Sequence, residues 1–396
     1  MPQLRVAVVG AGIAGLVLAA ALRRAGIDCH VYEQAPHLTE VGAGVQLAPN
    51  ATRLLHRLGL RDRLRAVAVA PGAIEMRRFD DATLLQRTPL GDVCHRRFGA
   101  PYYTVHRADL QAGLLSVVAA DRVHLGARLV AVTQGGDEAR LHLADGATVA
   151  ADLVVGADGI HSVVREQIVT DAPRYSGQTI YRGLVPAHRV PFLLADPAVR
   201  LWFGPDKHVV SYPVSAGRQV SFGATVPAAD WREESWTARG DPAALAAAYA
   251  GWHPDVTRLI AAADRVSRWA LHDRDGINRL GAGRVVVIGD AAHPMLPFQA
   301  QGANQAVEDA VVLARCLAEA GPAGLAAAVR RYEEVRLPRV TELQRRSRAN
   351  ARTFHLGDGD AQRRRDTAAQ LTSGLDQHEW LFAYDADHAT TTVGSS

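Results

Sequence analysis

The stretch LRVAVVGAGIAGLVLAAALRRAGIDCHVYEQ, residues 4–34, narrows what this chain can fold into more than any other. Residues 4–9 form a short apolar run, as a parallel strand buried on both faces requires. Gly10, Gly12 and Gly15 then spell GxGxxG. The first glycine permits the tight turn, the second lets backbone approach a pyrophosphate, and the third lets the next helix pack on the strand. That helix is expected to run to about residue 25 and stop at Gly26. A second strand, 29–32, delivers Glu33, whose carboxylate stands where ribose hydroxyls are bound. A lone GxGxxG says little. Strand, glycines, helix, strand and acid in this order predict a dinucleotide-binding βαβ unit. The apolar run 6–22 is too short and glycine-interrupted for a membrane span and lacks a cleavage site, so we expect neither anchor nor signal peptide.

Two later segments repeat the strand-then-glycine theme. In ADLVVGADGIHSVVRE, residues 151–166, a strand at 153–155 meets Gly156, Asp158 and Gly159, with a helix expected near His161 or Ser162. In RVVVIGDAAHPMLPFQAQGANQAVEDA, residues 284–310, a strand at 284–288 ends at Gly289 and Asp290, and a helix follows Gly302. Three such strands aim their carboxyl ends at one crevice, where doubly wound sheets bind ligands. With one full dinucleotide fingerprint, the later aspartates are expected to serve the rest of the same long ligand. FAD, bound noncovalently, fits: its ADP half takes the first motif, and Asp290 accepts ribityl hydroxyls. The N-terminus of the helix after Gly302 would favour the negative charge of a reduced flavin.

The remainder of the chain divides by pattern. GQTIYRGLVPA, VRLWFGPDKHVVSYPV and RQVSFGATVP alternate apolar and polar residues around turn sequences and predict an antiparallel sheet roofing the crevice. The expected fold class is α/β: a Rossmann-like FAD-binding domain with an inserted antiparallel-sheet substrate domain and a C-terminal helical segment. The FAD-binding domain is assigned to 1–75, 100–175 and 275–320, and the sheet domain to 76–99 and 176–272. A helical region covers 321–385, and 386–396 is read as a disordered tail. The basic runs at 345–352 and 362–366 are read as solvated helix faces. EWLFAYDADH, residues 379–388, is expected to dock on the body or on a second copy.

Composition excludes several function classes. A net charge of +3 gives no reason to expect nucleic acid. Cys29, Cys94 and Cys316 are too sparse for a disulfide framework or structural zinc and suit a reducing cytoplasm. Without HExxH, GxSxG or a His/Cys cluster, neither a metal nor acyl chemistry is expected.

These motifs, in order and spacing over residues 3–345, resemble the single-component FAD-dependent aromatic hydroxylases, the class A flavoprotein monooxygenases that include 4-hydroxybenzoate 3-hydroxylase. The likeness is greatest to the branch of salicylate hydroxylase, 3-hydroxybenzoate 6-hydroxylase and 6-hydroxynicotinate 3-monooxygenase. EVGAGVQLAPNATRLLHRLGL (40–60) resembles the stretch after that family's second strand, GADGIHSVVR its DG motif, and RYEEVRLPR its long C-terminal helix. YTVHRADLQAGL (103–114) is similar to its arginine-bearing helix start, which implies Arg107 near the FAD phosphates or ribityl chain. GDAAHPMLPFQAQGANQAVEDA is similar to its GD motif and flavin-facing helix, which implies Gly302, Ala303 and Asn304 at the cofactor. Many relatives carry glycine where Ala300 stands. Gln46 replaces a pocket histidine of the nicotinate branch and suits the hydroxybenzoate enzymes better.

The resemblance implies a reaction in which NADH or NADPH, a transient co-substrate, reduces FAD. Oxygen then adds to give a C4a-hydroperoxyflavin, and an electron-rich ring is hydroxylated: a hydroxybenzoate, a salicylate-like acid or a hydroxypyridine carboxylate. Two alternatives stay open: epoxidation or Baeyer–Villiger oxidation of a non-aromatic substrate, and a non-catalytic nucleotide-binding protein. We expect a cytoplasmic monomer or homodimer with no membrane or nucleic-acid partner. Gln301, just before the flavin-facing helix, can reach a ring substituent. His208 and Tyr212 lie four apart on one predicted strand and so share a face. These three are the catalytic candidates. Gln46, Tyr181 and His293 are the further pocket candidates.

Overall fold

In the computed structural model, residues 4–38, 43–228, 238–372 and 374–389 are described. Arg5–Val9 is the centre of a six-stranded sheet because it is apolar on both faces, with Val6, Ala7, Val8 and Val9 all buried. Asp28–Glu33 and Val123–Leu125 lie parallel on one side of it. Leu153–Gly156 and Val285–Val287 lie parallel on the other, and Gly281–Ala282 closes that edge antiparallel. Ile13–Arg24 and the 19-residue helix Gly302–Ala320 pack on this sheet and on each other. Leu129–Gly135, Glu138–Leu143 and Thr148–Ala151 form a separate antiparallel meander.

A second, seven-stranded sheet runs Val266–Asp273, Arg174–Pro186, Gln219–Pro227, Lys207–Val214, Ala198–Gly204, Ala73–Arg78, Leu84–Pro89. The expected hairpins are antiparallel, but Ala73–Arg78 joins Ala198–Gly204 in parallel, so the sheet is mixed. The chain enters Ala73–Arg78 from Arg61–Val67 and not through a hairpin from Ala198–Gly204, so the two need not run antiparallel, and the edge is formed by its own hairpin partner Leu84–Pro89. Within 76–99, Gly91–Phe98 is helical.

The C-terminal part is helical as expected. Leu325–Phe354 spans 30 residues with Pro338 inside it, and Asp360–Leu371 follows. Leu381 and Phe382 are buried with Phe98 and Tyr102, and Arg53 donates to the Phe382 carbonyl at 2.7 Å, so this segment docks on the body. The tail assignment needs correction at its start: Ala386 is fully buried, while 390–396 lie outside the described residues. The α-helix expected at His161 or Ser162 is replaced by a short 3-10 turn, Val164–Gln167. The buried Arg165 guanidinium grips Asp171 at 2.8 Å and the carbonyls of Ala291 and Ala292, which folds the chain back before a helix can extend. Among the described residues no single helix is long and apolar enough to cross a membrane.

Candidate active site

The crevice begins where the central strand ends. Gly10 has φ +102°, and a Cβ there would lie 2.4 Å from the Ala157 carbonyl oxygen. A Cβ on Gly15 would lie 2.0 Å from the Gly10 carbonyl oxygen, so both positions require glycine for helix and strand to meet. Gly12 faces open space at the helix start, where no side chain caps the first-turn amides. Glu33 accepts from the backbone N–H groups of Ala11 at 2.7 Å and Ala35 at 2.8 Å, bracing the loop's outer edge. Ala157 N–H donates to Val9 at 2.8 Å and Ile288 N–H to Gly156 at 2.9 Å, which locks the three strand ends side by side.

A cavity of about 360 Å³ extends from Gly12 past Arg107, Gly159 and Asp290 to Gly302 and Ala303, with the seven-stranded sheet above it. The Asp290 side chain is exposed to the open cavity, whose walls crowd its carboxylate. Desolvation raises its pKa above the usual 3.8, opposed by the charges of His293 and Arg107. Among the described residues, nothing donates a hydrogen bond to it. The helix Gly302–Ala320 points its uncapped N-terminus into the same space. Ala300, just before it, is left-handed at φ +51°, which explains why a glycine suits this position.

Behind that helix lies a buried charge network. Arg336 donates to Glu308 at 2.6 Å and Asp309 at 2.7 Å, and Arg339 to Glu308 at 2.7 Å. Asn50 donates to Glu308 at 2.6 Å and to Gln301 Oε1 at 3.2 Å. Asp309 also accepts from the Gly289 N–H at 2.8 Å and contacts His293 Nε2 at 2.5 Å. The network ties the GD turn, the helix and the long C-terminal helix into one block.

The sheet presents Ile180, Arg182, His208, Val210 and Tyr212 to the cavity, with Trp269 and Leu271 from its edge and Phe298 from below. The Arg182 guanidinium lies 4.7 Å from the Trp269 ring centroid. Burial lowers its pKa, and among the described residues no carboxylate or hydrogen-bond acceptor meets it. Tyr212 is raised by burial, partly offset by Arg182 and by hydrogen bonds to Gln46 and Ser221. Gln46 in turn accepts from Tyr102 at 2.7 Å.

Of the residues expected at the site, Gln301, Tyr212, His208 and Gln46 come together in this cavity with Gly12, Arg107, Gly159, Asp290, Gly302 and Ala303. Gly10, Gly15, Gly289 and Glu33 frame it. Four expectations need correction. Tyr181 lies on the opposite face of its strand, buried with Val266 and Leu245, because it alternates with Ile180 and Arg182. His293 is turned away and held by Asp309. The Asn304 side chain accepts from Ala48 N–H at 2.8 Å and donates to the carbonyls of Gln46 at 3.0 Å and Ala300 at 2.8 Å, tying the start of its helix to the segment 46–48. Asp158 turns inward to Ser162 and to the Val163 and Val164 amides rather than into the cavity. Sequence reasoning missed Arg182, whose signal was a cation in mid-strand, and the network of Asn50, Glu308, Asp309, Arg336 and Arg339.

Comparison with known proteins agrees with this geometry. A family model described as an FAD binding domain matches residues 3–347. The chain is 50% identical over 384 residues to the 3-amino-4-hydroxybenzoate 2-monooxygenase of Streptomyces cremeus, covering 97% of this chain and 96% of that one. It is 38% identical over 353 residues to the 6-hydroxynicotinate 3-monooxygenase of Bordetella bronchiseptica, covering 87% and 91%. The structure of Klebsiella pneumoniae HpxO complexed with FAD and uric acid superimposes with a TM-score of 0.84 at 31% identity, covering 99% of this chain and 98% of that one.

Proposed function

Because this chain belongs to the FAD-dependent aromatic monooxygenases, which use NAD(P)H and O2, we propose that it hydroxylates 3-amino-4-hydroxybenzoate, or a close aminohydroxybenzoate, at carbon 2. The observation that carries the choice of an aromatic acid is Arg182. A desolvated guanidinium with no acceptor among the described residues is stabilised by a carboxylate, which it can bind through two parallel N–H donors. The identity to the Streptomyces enzyme supports the ring's amino and hydroxyl substituents.

The crevice suits FAD on its own evidence. Gly12 leaves open space at an uncapped helix start, and Asp290 faces the cavity opposite the cation of Arg107. In this reading Gly10, Gly12, Gly15 and Glu33 hold the ADP half and Arg107 the phosphates. Asp290 accepts the ribityl hydroxyls, and Gly159, Gly289, Gly302 and Ala303 border the flavin. Bound FAD supplies reduction by NAD(P)H and delivery of one oxygen atom from O2.

The chain's own residues hold and activate the ring. Arg182 anchors the carboxylate at one end. Trp269, Phe298 and Leu271 enclose the ring and exclude water. Gln301, whose Oε1 is held by Asn50 and Gln305, is fixed to meet a ring substituent, and Tyr212 adds a second polar contact beside Arg182. His208 accepts the hydrogen bond of the ring hydroxyl, which raises the ring's nucleophilicity. The three free, buried cysteines accord with work in a reducing cytoplasm.

The test is product analysis. Holoenzyme with 3-amino-4-hydroxybenzoate, NAD(P)H and O2 is expected to give the 2-hydroxylated acid, with cofactor oxidation matched to product. Salicylate, 3-hydroxybenzoate and 6-hydroxynicotinate serve as comparison substrates. Peroxide as the sole product with the aminohydroxybenzoate, or better coupling with any comparison ring, refutes the assignment.

A further inference from the structure

One end of the cavity continues into a hydrogen-bond chain that leads away from it. His208 Nδ1 lies 2.9 Å from His355 Nε2, with the two ring planes inclined by 29°. We propose that His355 is a positioning residue for the hydroxylation: it holds His208 in the tautomer protonated at Nδ1, so that Nε2 offers a lone pair to the ring hydroxyl, and it receives the proton displaced when that hydroxyl ionises. This rests on the reading above, in which His208 meets the ring hydroxyl.

The argument is one of donors and acceptors. The His355 imidazole hydrogen-bonds the Ala351 carbonyl. A carbonyl only accepts, and Nε2 of His355 is already engaged with His208, so Nδ1 of His355 carries its proton. Its Nε2 is therefore an acceptor, and His208 must donate to it from Nδ1. Thr225 fits the same assignment: its Oγ1, 3.1 Å from His208 Nδ1, accepts a share of that N–H, and its hydroxyl hydrogen can go to the His355 Nε2 lone pair at 3.2 Å. His208 Nε2 is left without a partner among the described residues, on a side chain that lines the cavity.

The surroundings keep both rings neutral and ready to accept. Phe203, Phe298 and Phe354 enclose them. The cations nearby lie behind other rings: Arg365 against Phe203 at 5.0 Å and Lys207 against Tyr249 at 5.2 Å, with the Tyr249 hydroxyl donating to the His208 carbonyl. Burial lowers His208 well below its usual value and His355 to about 4. His208 is 4% exposed, whereas His355 is only partly buried at the end of the long helix. In the transfer, the phenol O–H bond breaks and its electron pair stays on oxygen. The proton goes to His208 Nε2 and the Nδ1 proton passes to His355 Nε2, leaving the positive charge on a His355 imidazolium whose Nδ1–H still donates to the Ala351 carbonyl. The reverse sequence resets the pair.

The experiment compares His355→Phe, which keeps an aromatic ring but removes the acceptor, with His355→Gln, which retains an acceptor and a donor. Both are purified as FAD holoenzymes. The probe is 3-amino-4-hydroxybenzoate, whose ionisation when bound is followed by its ultraviolet difference spectrum across pH without O2. His355→Phe is expected to keep KM within about threefold, lower kcat by about 10- to 100-fold, and shift ionisation of the bound phenol to higher pH. His355→Gln is expected to recover most of both. Equal behaviour of the two variants, or unchanged phenol ionisation in His355→Phe, overturns the inference. His208→Asn separates the two readings. If it alters phenol ionisation while His355→Phe does not, only the present inference fails; if it too has no effect, the role given to His208 fails. Should His355→Phe lose FAD, ¹⁵N-histidine NMR of the wild-type holoenzyme decides: His208 protonated at Nδ1 supports the inference, and at Nε2 overturns it.

Discussion

Replacing Arg182 with methionine removes the cation beside Trp269 in the cavity while keeping much of its length. In the free protein that guanidinium is desolvated, lies over Trp269, and meets no carboxylate among the described residues. A substrate carboxylate would form one or two charged hydrogen bonds with it. At about 1.5 kcal/mol for one and about 3 kcal/mol for both, their loss lowers kcat/KM by about 12- to 150-fold. The loss should fall mainly on KM, because the carboxylate is bound equally before and during reaction. The free protein should respond differently. Arg182 is half-buried and meets no carboxylate among the described residues, so deleting it relieves a desolvation cost and Tm should not fall. The assay is steady-state hydroxylation of the acid and of its carboxamide, with thermal melts of both holoenzymes. Wild type should prefer the acid by the factor above, and Arg182→Met should show almost no preference. An unchanged acid-to-amide ratio, or a fall in Tm such as follows loss of a structural ion pair, refutes the role given to Arg182.

Other predictions probe the frame around the site. Burial alone would raise Asp309, but His293 and Arg336 overcome it and hold its pKa at about 2 against 3.8. A depressed carboxylate contributes stability above its unfolded pKa and loses it as pH falls through the folded one. About 2 kcal/mol should therefore disappear between pH 5 and pH 2, and urea melts of Asp309→Asn should show a correspondingly shallower acid dependence; an identical slope contradicts this. Gly15→Ala places a Cβ 2.0 Å from the Gly10 carbonyl oxygen and should cost about 1–3 kcal/mol, yielding protein depleted in FAD by its visible absorbance. Asp290→Ala should weaken FAD binding by about 1–3 kcal/mol in a fluorescence titration; unchanged affinity assigns Asp290 another partner. Tyr181→Phe should leave KM, kcat and coupling as in wild type, and a raised KM would place that side chain back at the substrate.

The elements most legible in the sequence were those whose evidence is contiguous. The turn at Gly10, the close packing at Gly15 and the acid at Glu33 are all specified within one βαβ window, since strand, turn and helix each follow from local pattern. Even there, local pattern left one side chain undecided. Asp158 stands in a motif much like that of Asp290, yet it turns back onto the Val163 and Val164 amides while Asp290 opens into the cavity. What differs is Arg165, which grips nearby Asp171 and the carbonyls of Ala291 and Ala292 from more than 120 residues away, and so bends the segment around Asp158.

By itself, then, the sequence determined the three glycine-ended strands, the helix after Gly302 and the alternating strands above them, because each is written in short-range periodicity and turn chemistry. Spacing on one strand also put His208 and Tyr212 on a common face. Only the tertiary structure decided which face of each strand is the inside. Alternation cannot tell Tyr181 from Arg182 until register pairs Arg182 with Gly223, and Gly223 with Val210, across the roof. The same holds for charges that meet from distant segments. Asn50, Glu308 and Arg336 look like surface residues in a linear reading, and become a buried network only when three helices converge. His355 meets His208 across 147 residues of chain, a contact that packing, not local pattern, creates.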